Sequence, residues 1–384
     1  MIYFDNAATS YPKPPEVFAT MTKFMADAGG NPGRSGHRMA TSAEAMLLEA
    51  RNAISKFFGH QDPSHCIFTL NCTDALNIAI KGLLEAGDHV ISSVLEHNSV
   101  NRPLQLGADH GLLELTRVGM DADGAWNVDD VMKAVNPDTR LVAITHCSNV
   151  LGVLCPVEEL GQRLRKKHPH VRFLVDAAQT SGAVPLDMSR CCIDLLAFPG
   201  HKGLYGPTGT GVLLVGSRVT TDELSAWREG GTGGDSASPH QPTEMPHFLE
   251  GGTPNTMGIA GVLAGIRFIQ KQGQGNVLAH ERLILNYLIE TLGADRRFTI
   301  YGTKDVSRRA GVLSITINDR DTAETASILD QAFGICVRPG LHCAPYTHKA
   351  LRTFPTGTLR LSPGLFNTMD EAAQTVTALK EIAS

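Results

Sequence analysis

The sequence has no unbroken apolar run approaching the roughly 18 residues that a membrane-spanning helix needs, so no membrane span is expected. It has no cluster of Lys or Arg either. Its 34 basic and 39 acidic residues leave a net charge of −5 spread along the chain, and nucleic acid, which needs a concentrated basic face, is not an expected partner. The first residues, Met1-Ile2-Tyr3-Phe4-Asp5-Asn6, lack a charged segment followed by an apolar one. No secretory leader is expected, and the cytoplasm is the expected location. Cysteine is sparse, eight residues in 384 with no Cys-x-x-Cys spacing, which argues against a disulfide scaffold and a structural metal site. There is no Gly-x-x-x-x-Gly-Lys-Ser/Thr phosphate loop. The stretch Pro207-Thr208-Gly209-Thr210-Gly211 precedes a strand rather than a helix and reads as a tight turn.

What is present is an ordinary globular composition, 42% hydrophobic and 19% charged, on a chain long enough for two or three domains. Strands are expected at 66–69, 89–92, 141–144, 171–175, 195–198 and 211–215, and helices at 73–84, 100–108 and 157–167. The strands are apolar throughout rather than alternating, as parallel strands covered on both faces are. This predicts an open α/β sheet with its ligand at the carboxyl ends of the strands. A loop-rich stretch over 230–254 follows. Helices at 256–272 and 276–292 then precede a strand (312–317), a helix (321–333), a strand (359–361) and a helix (368–382), the pattern of a smaller α/β domain.

The residues just beyond each strand therefore carry the argument. Lys202 follows an apolar strand and a Pro-Gly turn; desolvation there would lower its pKa and suit it to bonding an aldehyde. Asp176 ends another strand. It reads equally as a cap for the following turn or as the partner of a buried cation such as a protonated pyridine nitrogen. Thr73, between a strand and a helix, reads as a helix cap or as a phosphate donor. His97 and Asn149 follow two further strands. Each is unremarkable alone; together, five strand ends carry the five groups that pyridoxal 5′-phosphate would use.

In this order the motifs resemble those of the class V aminotransferase-fold enzymes, specifically the cysteine desulfurase and selenocysteine lyase group. They are Tyr3–Ser10, Asn31-Pro32-Gly33-Arg34-Ser35-Gly36-His37, Glu96-His97-Asn98-Ser99, Ser148-Asn149-Val150-Leu151-Gly152, Asp176-Ala177-Ala178-Gln179, Gly200-His201-Lys202, Gly252-Thr253-Pro254-Asn255 and Arg338-Pro339-Gly340-Leu341-His342-Cys343-Ala344. The resemblance implies the fold type I of pyridoxal-phosphate-dependent transferases. A large domain (15–262) would hold a mostly parallel seven-stranded sheet. A small domain (1–14 and 263–384) would carry the cysteine loop.

It also implies roles. Lys202 would bond the cofactor, Asp176 would pair with the pyridine nitrogen, Gln179 would donate to the phenolic oxygen, and His97 would stack on the ring and act in catalysis. Asn149 would lie near the phenolate and the substrate carboxylate. Thr73, Cys72 and His201 would hold the phosphate, with Thr253 reaching it from the other subunit of a homodimer. Arg360 would clamp the substrate carboxylate, and His37 would lie at the substrate end of the pocket. Cys343 would take sulfur from L-cysteine as a persulfide, leaving L-alanine, and pass it to an acceptor protein or thiol, the sulfur mobilisation that serves iron–sulfur cluster assembly. Arg338 and His342 would tune that thiol. The short interval from Cys343 to Arg360 resembles the group II (SUF-type) members. Two departures stand out: Pro199 replaces the usual Ser before Gly-His-Lys, and Asn71-Cys72-Thr73 replaces Gly-Thr-Thr. The alternatives on the same scaffold are a selenocysteine lyase acting on L-selenocysteine, and a transamination or epimerisation in which Cys343 is incidental; a catalytically idle scaffold dimer is a third.

Overall fold

The computed structural model describes residues 1–33, 36–232 and 237–384. Arg34 and Ser35 of the Asn31–His37 motif, and residues 233–236 of the glycine-rich loop, lie outside the described residues. In chain order the elements are β1 (Ile2–Tyr3), α1 (Pro15–Ala28), α2 (Arg38–Phe57), β2 (Cys66–Thr69), α3 (Cys72–Leu83), β3 (His89–Ser93), α4 (Asn98–Asp109), β4 (Glu114–Val118), α5 (Val128–Ala134), β5 (Thr139–Thr145), α6 (Val157–Lys167), β6 (Arg172–Asp176), β7 (Leu195–Pro199), β8 (Gly211–Val215), α7 (Thr256–Gln272), α8 (Gln274–Gly293), β9 (Phe298–Ile300), β10 (Leu313–Ile317), α9 (Thr322–Phe333), β11 (Ile335–Cys336), β12 (Arg338–Gly340), α10 (Pro345–Ala350), β13 (Thr358–Leu361) and α11 (Met369–Ile382).

Seven strands form the main sheet in the order β2-β8-β7-β6-β5-β3-β4. Every pairing is parallel except those of β8, which runs antiparallel to both β2 and β7. The α/β class and the mostly parallel sheet are as expected, and β8 shows the limit of the pattern. An apolar run announces a strand covered on both faces but not its direction. Alternate residues explain the unbroken apolar runs. Phe68, Ile91, Val142, Phe173, Leu196 and Val212 enter one buried cluster, while Ile67, Val90, Leu141, Leu174, Leu195 and Leu213 enter another on the opposite face. The edge strand β4 was not expected. Its Glu-Leu-Thr-Arg-Val sequence is mostly half-exposed and lacks the apolar signature of its neighbours.

A four-stranded antiparallel sheet, β12-β13-β10-β9, and a two-stranded parallel pair, β1-β11, surround a third apolar cluster with α8, α9 and α11. Ile2 pairs with Ile335 and Tyr3 with Cys336, so the first residues of the chain complete structure built from the last hundred. No helix among the described residues is long and apolar enough to cross a membrane.

The turn after β5 joins the two sheets. Gly152 has φ +68, and its carbonyl accepts from Ala310. A Cβ on it would lie 2.3 Å from the Val312 carbonyl oxygen. Both the left-handed backbone and the close approach require glycine. Gly152→Ala is expected to destabilise the fold by about 2–4 kcal/mol, read as a fall in Tm; an unchanged Tm would contradict this geometry.

Candidate active site

Every strand of the large sheet that matters to the site ends at the same edge. Asp176 is the last residue of β6, in register with Thr145 on β5 and Ala197 on β7. One carboxylate oxygen accepts the Ala178 N–H at 2.9 Å, so the turn-capping reading and the acid reading describe the same group. That oxygen also lies 3.8 Å from the Cys72 sulfur. Burial pushes the Asp176 carboxyl above its usual range, against the Ala178 N–H, Lys202 and Cys72. Lys202, three residues beyond β7, lines the same cavity of about 150 Å³. Burial first, and then the Arg360 guanidinium, lower its amine to about 8. Cys72 is half-buried and its thiol is pushed well up, by desolvation first and then by Asp176. It therefore faces Asp176 as a neutral thiol.

Two helix starts meet in this cavity. Asn71 caps α3 by accepting the Asp74 N–H at 3.0 Å, and Thr73 follows, lining the cavity with its hydroxyl 2.7 Å from the Ser99 hydroxyl. His97 caps α4, its Nδ1 accepting the Ser99 N–H at 3.1 Å. The imidazole proton therefore sits on Nε2. Burial, with Lys202, Arg338, Arg102 and Arg360, holds the ring neutral, at about 4. The preceding residue, Glu96, is buried, and its Oε1 accepts from the Ser93 hydroxyl at 2.5 Å and the Thr145 N–H at 3.0 Å; burial raises that carboxyl to about 8. His201 also lines the cavity, and its Nδ1 is buried without a partner. An unpaired buried nitrogen, a hydroxyl and helix-start N–H groups form a donor set suited to a phosphate. With an amine of lowered pKa and a buried carboxylate beside them, the residues fit pyridoxal 5′-phosphate. Gln179 lines the cavity as well, with one amide hydrogen donated to the Ala7 carbonyl at 3.1 Å.

The cysteine loop approaches from the small sheets. Cys343 borders a cleft of about 390 Å³ that shares Thr73, His97 and Ser99 with the Lys202 cavity. The Asn98 N–H donates to its carbonyl at 2.7 Å. Both His342 (φ +48) and Cys343 (φ +59) occupy the left-handed region, which costs non-glycine residues energy and is found at functional sites. Arg338 on β12 points its Nη2 at the Cys343 sulfur, 3.6 Å away. His342 does not share that task. Its Nε2 lies 3.2 Å from the carbonyl and hydroxyl of Thr358, and burial depresses its pKa to about 2, so it stays neutral and faces away from the thiol. Sequence proximity alone suggested otherwise.

Arg360 is buried on β13. Its Nη2 donates to Asp5 at 2.8 Å and its Nη1 to the Asn149 carbonyl at 3.1 Å, while its Nε has no partner. The Asn149 amide donates to the His342 carbonyl at 2.6 Å, so Asn149 links the clamp to the cysteine loop as well as lining the cavity. Arg338 and Arg360 approach from the small sheet without lining either cavity, and two further expected residues lie apart from them. His37 is exposed and caps α2 through its Nδ1, and Thr253 is exposed in the loop before α7. Three residues at the site went unassigned from sequence. Ser99 and Glu96 lie inside a quoted motif, and Asp5 lies in the N-terminal one; the signal was present, but their partners are remote in sequence.

Residues 2–374 match the model of the family described as aminotransferase class-V. A probable cysteine desulfurase of Pyrococcus abyssi is 34% identical over 387 aligned residues, covering all of this chain and 94% of that protein. The apo structure of a cysteine desulfurase from Thermococcus onnurineus NA1 superposes with a TM-score of 0.93 at 33% identity, covering 100% of this chain and 94% of that one. The cysteine desulfurase CsdA of Escherichia coli gives a TM-score of 0.88 at 26% identity, covering 99% and 94%. The chain belongs to the class V aminotransferase family and, within it, to the cysteine desulfurases.

Proposed function

We propose that this chain is a pyridoxal 5′-phosphate-dependent cysteine desulfurase. It converts L-cysteine to L-alanine, with the sulfur held as a persulfide on Cys343 and passed to an acceptor protein or thiol. One observation carries the reading: the cavity of Lys202 and Asp176 and the cleft bordered by Cys343 share a single wall, made of Thr73, His97 and Ser99. The relatives named above support the same activity. The overall balance is closed: the Cys343 thiol and L-cysteine give the Cys343 persulfide and L-alanine, with no external oxidant or reductant.

When bound, the cofactor supplies an electron-withdrawing ring that stabilises negative charge at the amino acid's Cα. The protein's residues do the rest. Lys202, its amine lowered to about 8, anchors the cofactor and afterwards holds the proton taken from Cα on its Nζ. Asp176 would pair with the pyridine nitrogen and keep it protonated, and Gln179 would donate to the phenolic oxygen. His97, a neutral imidazole, would stack on the ring. Thr73, His201 and the N–H groups at Cys72 and Thr73 hold the phosphate; Pro199 contributes neither hydroxyl nor N–H there. Arg360 binds the substrate carboxylate with donors not committed to Asp5 and Asn149. Arg338 stabilises the Cys343 thiolate as it attacks the substrate sulfur, and the strained backbone at 342–343 fixes its direction. In a homodimer, Thr253 of each protomer would reach the phosphate held by the other, and His37 would lie at the substrate end of the pocket. We place the division between the large and small domains near residues 14 and 262, and the enzyme in the cytoplasm.

The discriminating measurement is release of alanine and sulfide from L-cysteine in the presence of a thiol reductant. Cys343→Ala is expected to keep the visible absorbance of the bound cofactor and lose at least about 100-fold in turnover. Lys202→Ala should lose both. A wild-type protein that binds the cofactor yet frees no sulfide from L-cysteine overturns the substrate reading and turns the assay to L-selenocysteine. Arg360→Lys, which keeps the charge but not the planar fork, should raise KM about tenfold or more while kcat falls less; equal falls would remove Arg360 from carboxylate binding. Lys202 reacts as the neutral amine, so cofactor capture by the cofactor-free protein should accelerate with rising pH through about 8 and level off above it. An ordinary lysine would still be accelerating above pH 10.

A further inference from the structure

Ser99 has no task in the reading above, yet it stands at the wall between the two cavities. It is buried at the second position of α4. Its hydroxyl lies 2.7 Å from the Thr73 hydroxyl and 2.8 Å from His97 Nδ1, and its own N–H donates to that same Nδ1 at 3.1 Å. Three side chains thus form one short chain, from the ring-facing imidazole to the phosphate-facing threonine.

Counting protons limits what this chain can do. His97 Nδ1 offers a single lone pair and already accepts the Ser99 N–H. The Ser99 hydroxyl has one proton to give. Turned toward Nδ1, it leaves its oxygen to accept from Thr73, and Thr73 then presents lone pairs to the cavity. Turned toward Thr73, it lets the Thr73 proton face the cavity, and Nδ1 keeps only the backbone donor. An anionic oxygen beside Thr73 is held by a proton and repelled by a lone pair, so it selects the second arrangement.

We propose that Ser99 is a positioning residue whose hydroxyl turns between His97 and Thr73, so that an anion held at Thr73 changes the hydrogen bonding of the His97 ring. The inference rests on the reading of the Thr73 corner as the phosphate site and goes further by coupling the two ends of the cofactor's pocket. Capture of the phosphate end would release His97 from one donor and adjust the ring that faces the reacting end. The groups facing His97 are Lys202 from the loop after β7, Arg338 on β12, Arg360 on β13, Arg102 on its own helix and Cys343 across the cleft. None of them donates to Nδ1, whose partners are the Ser99 N–H and the Ser99 hydroxyl, so that hydroxyl is the nitrogen's second donor.

The test is nitrogen-15 NMR of the histidine side chains in the full-length, cofactor-free chain at pH 7, with inorganic phosphate as the probe. His97 is neutral there, so its Nδ1 resonance reports hydrogen bonding rather than protonation. In wild type, phosphate is expected to move this resonance downfield as the hydroxyl donor is withdrawn. In Ser99→Ala the resonance should begin downfield and move less than half as far, and Ser99→Thr, which restores a hydroxyl, should recover the wild-type response. Ser99→Cys, close in size but a weak donor, gives the same comparison should Ser99→Ala melt early. His201 supplies an independent report of phosphate binding. Equal movement of His97 Nδ1 in wild type and Ser99→Ala, with His201 shifted in both, overturns the relay and leaves the phosphate corner standing. Phosphate that shifts neither histidine in wild type overturns both.

Discussion

An amine and a carboxylate placed away from water at the end of a parallel sheet are the constraint on which the rest of this structure turns. Asp176 and Lys202 arrive from neighbouring strands, and the sheet register fixes their separation before any ligand enters. Each is shifted toward its neutral form by burial and toward its charged form by the other. Such a pair is poorly stabilised by itself. A ligand offering a cationic ring nitrogen to the acid and an aldehyde to the amine relieves both. The Cys72 thiol, beside Asp176, adds no competing charge.

The second half of the site is built on different principles. The cysteine loop is a short irregular turn between β12 and α10, and its two central residues adopt the left-handed backbone. It is held from outside by the Asn98 N–H, the Asn149 amide and the Thr358 contacts to His342. Each comes from a different element, and Asn149 also accepts from Arg360. The thiol, the Arg360 guanidinium and the large sheet are therefore mechanically one unit, with His342 serving as an internal strut rather than as a source of charge.

Much of this was legible in the sequence because it obeys local rules. The apolar strands, the capped helices and the strand-end positions of Lys202, Asp176 and Thr73 all follow from periodicity and from the residue types that end strands. The boundaries also fell close: α6 and α7 matched their expected spans, and α3 and α4 began one or two residues earlier, at the caps Asn71 and His97. What escaped was non-local. The antiparallel sense of β8 depends on its neighbours; the edge strand β4 lacks the apolar signature; the roles of Asp5 and Ser99 depend on partners brought close only by folding. His342 shows the reverse error, since adjacency in sequence to Cys343 implied a contact that the left-handed turn directs elsewhere.

The ion pair of Asp5 with Arg360 spans 355 residues. At a synthesis rate of roughly 5–20 residues per second, its two members leave the ribosome about 20–70 s apart. Throughout that interval the large sheet can assemble, but the ion pair cannot form, because β13 and the strand pair that seats β1 do not yet exist. A nascent chain therefore holds the strands that position Asp176 and Lys202 well before it has Cys343 or Arg360, and the two halves of the site cannot meet until synthesis is nearly complete.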